Sequence, residues 1–200
     1  MTRMSRADRK RWASTRSLAD VGEVMALWLE GEVKSWPGYA PGCGPDEETT
    51  ELIPTLAALN RAGLVTISSQ PGLPPTRGWD GRDWQQRAAV KGFAVGSTLY
   101  ELHGVAEDAG LRVIRHRTRR RWFGSFRGGR SAVPVTATGD VGRVATAFGA
   151  ELDAAVVEFI FEGIGDAAMN EVLDAWQVTV IDPVWGRNDV LWPTLIGALR

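Results

Sequence analysis

Asn60 to Gly72 reads NRAGLVTISSQPG, and three local signals follow one another within it. Gly63 stops a helix, Leu64 to Ser69 (LVTISS) is rich in β-branched residues and predicts a strand, and Gln70, Pro71 and Gly72 predict a turn. A helix that runs through a single glycine into a strand points to helices packed on a sheet. Upstream, Thr49 to Asn60 predicts the helix itself, with Leu52, Leu56 and Leu59 on one face and Pro54 early, where a missing amide does least harm.

Before it, Trp36 to Asp46 (WPGYAPGCGPD) carries three prolines and three glycines, which predicts a turning loop of the kind that often edges a ligand site. Ser17 to Gly31 predicts another helix. Ser17 with Asp20 three residues on is a capping pattern, and Leu18, Val21, Met25, Trp28 and Leu29 recur at helical spacing. Residues 1–16 are polar and basic and are expected to be a flexible arm, leaving residues 17–200 as one domain.

Downstream of the turn a loop is expected to Asp83, then helices at Trp84 to Val95 and Thr98 to Ala109, broken at Gly96. Strands are expected at Leu111 to Arg117, Ala132 to Ala137, Ala155 to Phe161 and Gln177 to Ile181. Helical patterns cover Asp140 to Leu152, Asp166 to Trp176 and Leu191 to Leu199. The mixture predicts an α/β fold, with α+β as its variant, in which one mixed sheet carries packed helices.

Composition agrees with one globular domain. A chain of 200 residues can bury about 70% of its unfolded surface around a single core, and 44% hydrophobic with 24% charged residues excludes a disordered or fibrous chain. No apolar run approaches the ~20 residues a membrane helix needs, and the polar start MTRMSRADRKRW lacks the centre of a secretory signal, so a cytoplasmic location without membrane contact is expected. Cys43 is the only cysteine, which excludes a disulfide framework and a cysteine-based zinc cage. Between Ala109 and Gly139 stand eight arginines and no acid, and a net charge of −1 for the chain therefore leaves −9 for the remainder. Such a segment can meet phosphates or an acidic partner, or pair with an acidic surface of its own domain or of a second subunit.

Catalytic signatures are missing. No His-Glu-x-x-His, Cys-x-x-Cys or Gly-x-Ser-x-Gly pattern occurs, and His103 and His116 have no evident partners. No metal is expected. GSFRGGRS, Gly124 to Ser131, comes close to a phosphate-binding loop, but Arg130 replaces the lysine and neither flank supplies the required strand and helix. Among nine tryptophans, Trp28 and Trp176 fall on apolar helix faces and read as core. Trp36, Trp79, Trp84 and Trp185 lie beside glycines and prolines, where an indole can either pack or stack on a planar or cationic ligand.

The NRAGLVTISSQPG stretch resembles the C-terminal regulatory domain of eukaryotic-type methylenetetrahydrofolate reductase, with its helix end, strand and Ser-Gln-Pro turn. SLADVGEVMALWLEGE is similar to the helix that opens that domain, and Glu48-Thr49 stands at the distance of its Glu-Thr pair. Gly78-Trp79, then QRAAVKGF (Gln86 to Phe93), and finally QVTVIDPVWGRNDVLWPTL resemble its later segments in the same order. The resemblance spans most of Ser17 to Leu199, is poor from Arg117 to Ala150, and leaves out the reductase's catalytic barrel. It implies an S-adenosylmethionine or S-adenosylhomocysteine ligand, a homodimer and no reductase activity.

By position, the resemblance carries ligand contacts onto Glu48, Thr49 and Thr66, with Ser69, Gln70 and Trp79 in the matched motifs. Thr136 is the nearest equivalent of a further contact, and Thr146 a less closely matched one. A carboxylate can meet an ammonium or sulfonium charge, and hydroxyls can hold ribose or amino-acid atoms. The same residues also have plain roles: Glu48 solvated, Thr49 a helix cap, Thr66 a strand filler. The leading expectation is a stand-alone binding or sensor domain for this ligand. The alternatives are an enzyme acting on S-adenosylmethionine as a lyase, cyclase or transferase, and a nucleic-acid- or partner-binding module using the arginines of residues 112–130. The acidic body makes nucleic-acid binding the less expected of these.

Overall fold

A computed structural model of the protein describes residues 4–40, 42–118, 132–138 and 143–199. Seven α-helices and eight strands appear among them. The helices are α1 (Arg6–Ala13), α2 (Leu18–Leu29), α3 (Ile53–Arg61), α4 (Gly96–Asp108), α5 (Ala154–Ile160), α6 (Asp166–Asp174) and α7 (Leu191–Ala198). A 3-10 helix, Glu47–Leu52, leads into α3. The strands are β1 (Leu64–Gln70), β2 (Leu73–Arg77), β3 (Asp83–Gln86), β4 (Ala89–Ala94), β5 (Arg112–Arg117), β6 (Val133–Thr138), β7 (Val144–Phe148) and β8 (Trp176–Ile181).

The fold class is mixed α and β, as expected, but the strands form two sheets in place of one mixed sheet. The first has the order β1-β4-β8-β5, the second β2-β3-β6-β7, and every pairing is antiparallel. A large core joins α1, α2, α3, α4, α6 and α7 to the first sheet through Val65, Val90, Val178 and Val180. A much smaller one, with Ala89 and Ile181 from the first sheet and Val133, Val135 and Phe148 from the second, holds the two sheets together.

The capping reading of α2 holds in detail. Ser17 Oγ accepts from the Asp20 amide and Asp20 Oδ2 accepts from the Ser17 amide, so two orphan donors at the helix start are satisfied reciprocally. α2 and α3 cross closely. A Cβ on Gly22 would come within 2.4 Å of the Asn60 carbonyl oxygen, so only glycine fits there.

Four expectations are corrected. Within the arm expected at residues 1–16, residues 4–16 are not loose: α1 is capped by Ser5, and Trp12 is fully buried with its indole Nε1 donating to Ser35 O at 2.8 Å. Trp84 to Val95 is not a helix but the strands β3 and β4. β4 is central, with Ala89, Val90, Gly92, Phe93 and Ala94 all buried, so it lacks the alternation that marks a half-exposed strand. Ala155 to Phe161 is a helix, because Asp153 Oδ1 accepts from the Val156 amide and fixes an N-terminus that outweighs β-branched propensity. Within the helix expected at Asp140 to Leu152 lies β7, an edge strand that pairs with β6. The glycine-rich stretch Gly124 to Ser131 lies outside the described residues.

Candidate functional site

β1 builds the floor of the site. Its pairing with β4 slips between Thr66 and Ser68, so Ile67 is an extra residue and the strand re-aims there. Above this bulge lies a cavity of ≈ 250 Å³. β1 supplies Thr66, Ile67, Ser68, Ser69 and Gln70; α2 supplies Met25, Trp28 and Leu29; β7 supplies Thr146 and Phe148 from the second sheet. The Pro- and Gly-rich loop and the 3-10 helix after it complete the wall with Trp36, Tyr39, Pro45, Asp46, Glu48 and Thr49.

One wall is aromatic. Trp28 meets Trp36 edge-on with centroids 5.2 Å apart, and Tyr39 lies 5.8 Å from Trp28 and stacks on Trp36 at 6.3 Å. Trp28 Nε1 donates to Cys43 O at 3.2 Å, while the buried Nε1 of Trp36 has no partner among the described residues. Two carboxylates also line the cavity. Glu48 is exposed and accepts from Gln86 Nε2 at 3.3 Å, and Asp46 Oδ1 accepts from the Tyr39 hydroxyl at 2.5 Å. That hydrogen bond to a carboxylate, with lesser help from burial, raises the Tyr39 pKa above its ordinary value. Tyr39 is therefore held as a neutral donor and is poorly suited to serve as a base.

Thr66 and Gln70 each have structural duties beside the cavity. Asn60, fully buried at the end of α3, accepts from the Thr66 amide at 2.9 Å through Oδ1 and donates to Thr66 Oγ1 at 2.7 Å through Nδ2. The Thr66 hydroxyl thus keeps its own proton to donate. Gln70 Nε2 donates to Arg87 O at 2.9 Å and Val135 O at 2.8 Å, and its Oε1 accepts from Thr136 Oγ1 at 3.1 Å. Both faces of that amide are spent on joining the two sheets. The hydroxyls of Thr49 and Ser69 make no hydrogen bond to described residues.

The structure brings Glu48, Thr49, Thr66, Ser69 and Gln70 to this one cavity, together with Thr146. Thr136 sits behind the wall, buried against Gln70. Trp79 is elsewhere: fully exposed in the turn between β2 and β3, it does not line the cavity. Trp84 and Trp185 also lie outside it, the latter under the Arg87 guanidinium at 4.2 Å. Tyr39 and Asp46 were not singled out from the sequence, although both sit in the loop expected to edge a site. Trp28, read as core, is core and cavity wall at once.

The set of groups suits binding. A flat, partly cationic molecule would find an aromatic wall, two carboxylates and several hydroxyls, while among the described residues Tyr39, Asp46 and Glu48 are the titratable groups that line the cavity. Among the described residues no group of three or more histidines, cysteines and acids could hold a metal ion, and no helix is long and apolar enough to cross a membrane. No curated protein matches the chain. Residues 7–200, nearly the whole chain, match a family model described as "Domain of unknown function (DUF6919)", and the chain belongs to that family.

Proposed function

We propose that this is a cytoplasmic small-molecule-binding or sensor domain, working as a homodimer, whose ligand is S-adenosylmethionine or S-adenosylhomocysteine bound between β1, α2 and the Trp36 to Asp46 loop. The observation that carries the reading is the meeting of Glu48, Thr49, Thr66 and Ser69 with the Trp28, Trp36 and Tyr39 rings around one cavity. Adenine stacks on an aromatic wall, ribose hydroxyls pair with Thr and Ser hydroxyls, and the ammonium and sulfonium charges favour the Asp46 and Glu48 rim.

Size is compatible with partial enclosure. At ≈ 250 Å³ the cavity falls just below the roughly 300–1,000 Å³ typical of ligand pockets, so one half of an adenosyl-sulfur compound is enclosed and the other rests at the acidic mouth. Thermal unfolding with each ligand tests the reading. A ligand that binds only the folded state stabilises it by about 2.7 kcal/mol at 100 times its dissociation constant. That corresponds to a rise of about 5–10 °C in Tm for a domain of this length. No rise with either compound at millimolar concentration removes the proposal.

A further inference from the structure

A second concavity, of ≈ 380 Å³, lies between α4 and the free edge of the first sheet and shares no lining residue with the Glu48 cavity. Among the described residues β5 is an edge strand, paired only with β8. Side chains alternate along it, so Val113, Arg115 and Arg117 share one face. Val113 packs on the core, and the row then continues with two arginines beside Trp176: the Arg117 guanidinium lies 4.1 Å from the indole centroid and that of Arg115 5.9 Å. Arg117 Nη1 donates to the Asp174 carbonyl at 2.5 Å, and stacking on the indole holds the guanidiniums in place while leaving their other donors available to an anion.

The facing wall is one stripe of α4. Gly96, Leu99, Tyr100, His103 and Gly104 recur at helical spacing, and Leu99 is buried while Tyr100 is 83% exposed. A Cβ on Gly96 or Gly104 would meet nothing within 4 Å, so bare helix backbone flanks the ring on both sides. Among the described residues no carboxylate pairs with Arg112, Arg115 or Arg117. His103 bonds Glu107 through Nδ1 at 3.3 Å.

We propose that this groove binds a phosphorylated aromatic molecule of mononucleotide size, with its ring laid against Tyr100 and its phosphate on Arg115, reinforced by Arg117. Guanidiniums without a carboxylate partner among the described residues, on one strand face, favour a multiply charged anion, and an exposed ring framed by glycines favours a flat partner. The volume lies inside the range of ligand pockets, roughly 300–1,000 Å³.

Calorimetric titration with adenosine 5′-monophosphate, adenosine and inorganic phosphate tests this. The expected result is binding of the monophosphate, with each fragment at least about tenfold weaker because ring and anion contacts are both needed. Arg115→Ala and Tyr100→Ala should each weaken the monophosphate about tenfold or more. Tyr100→Ala should leave the melting temperature unchanged, since the ring is exposed, and it decides the matter if Arg115→Ala folds poorly. No monophosphate binding at millimolar concentration, phosphate binding as tightly as the monophosphate, or an affinity untouched by Tyr100→Ala would each overturn the assignment.

Discussion

Gln70 on β1 and Thr136 on β6 belong to different sheets, and the Thr136 hydroxyl donates to Gln70 Oε1 at 3.1 Å. With Gln70 Nε2 donating to Arg87 O and Val135 O, one buried amide makes three hydrogen bonds across a junction whose apolar core is small. Gln70→Leu leaves the Arg87 carbonyl and the Thr136 hydroxyl without this partner, while Val135 O keeps the Arg87 amide at 2.8 Å. It should cost about 2–4 kcal/mol, read as a lower urea midpoint, because unmade buried hydrogen bonds cost more than made ones contribute. A midpoint unchanged from the parent would show that water replaces the amide.

α1 is predicted to be integral to the fold. Trp12→Ala removes a fully buried indole and the hydrogen bond to Ser35 O, and should destabilise by about 3–5 kcal/mol. Trp12→Phe keeps most of the volume and should lose less. Equal stability of the alanine variant and the parent in thermal unfolding would return residues 1–16 to the status of an arm.

The helix start at Ser17, β1 and the strands β5 and β8 were legible in the sequence because their signals are local: a cap three residues from its acid, or β-branched runs closed by turns. β4 was not, since a strand buried on both faces shows no period, and its alanines and Lys91 suit a helix as well. α5 was missed through AVVEFIF, although Asp153 before it is the cap that decides the matter. The strand β7 follows TATGD, and a Gly-Asp between two β-rich runs is a hairpin signal that the helix reading passed over. Of the residues to which the resemblance carries ligand contacts or matched motifs, Glu48, Thr49, Thr66, Ser69 and Gln70 line one cavity, but spacing could not show that Gln70 and Thr136 are consumed by each other. That is a property of two sheets meeting, absent from either strand alone.

Thr66→Val is predicted to disturb the unliganded protein. It removes the acceptor for Asn60 Nδ2, which keeps its bond to Leu56 O at 2.7 Å, so a loss of about 1 kcal/mol is expected. Thr66→Ser retains the hydroxyl and should lose less. Chemical denaturation of the two variants checks the order, and a more stable valine variant would contradict the Asn60 link.

Lys91 gives the protein an alkaline stability change. Burial pushes its pKa down from 10.5 to about 8, and its Nζ donates to Ala150 O at 3.0 Å. Below pH ~8 both folded and unfolded chains hold the proton; between ~8 and ~10.5 the unfolded chain holds more, so stability rises with pH over that window. The gain is up to about 3 kcal/mol relative to Lys91→Met, which should lack it. Denaturant unfolding of both proteins from pH 7 to 10.5 measures the difference, and parallel curves would show that Lys91 stays charged.

Whether Glu48 and its neighbours hold an adenosyl-sulfur ligand is decided by calorimetric titration of S-adenosylmethionine and S-adenosylhomocysteine into the parent and Glu48→Gln. Glu48 is exposed in the free protein, so its charge is partly screened. One site per chain is expected, with the cationic methionine form weakened roughly three- to tenfold by Glu48→Gln, about 0.6–1.4 kcal/mol, and a smaller effect on the homocysteine form, which lacks the sulfonium charge. Absence of heat with both ligands at millimolar concentration, or equal affinities in parent and variant, would contradict it.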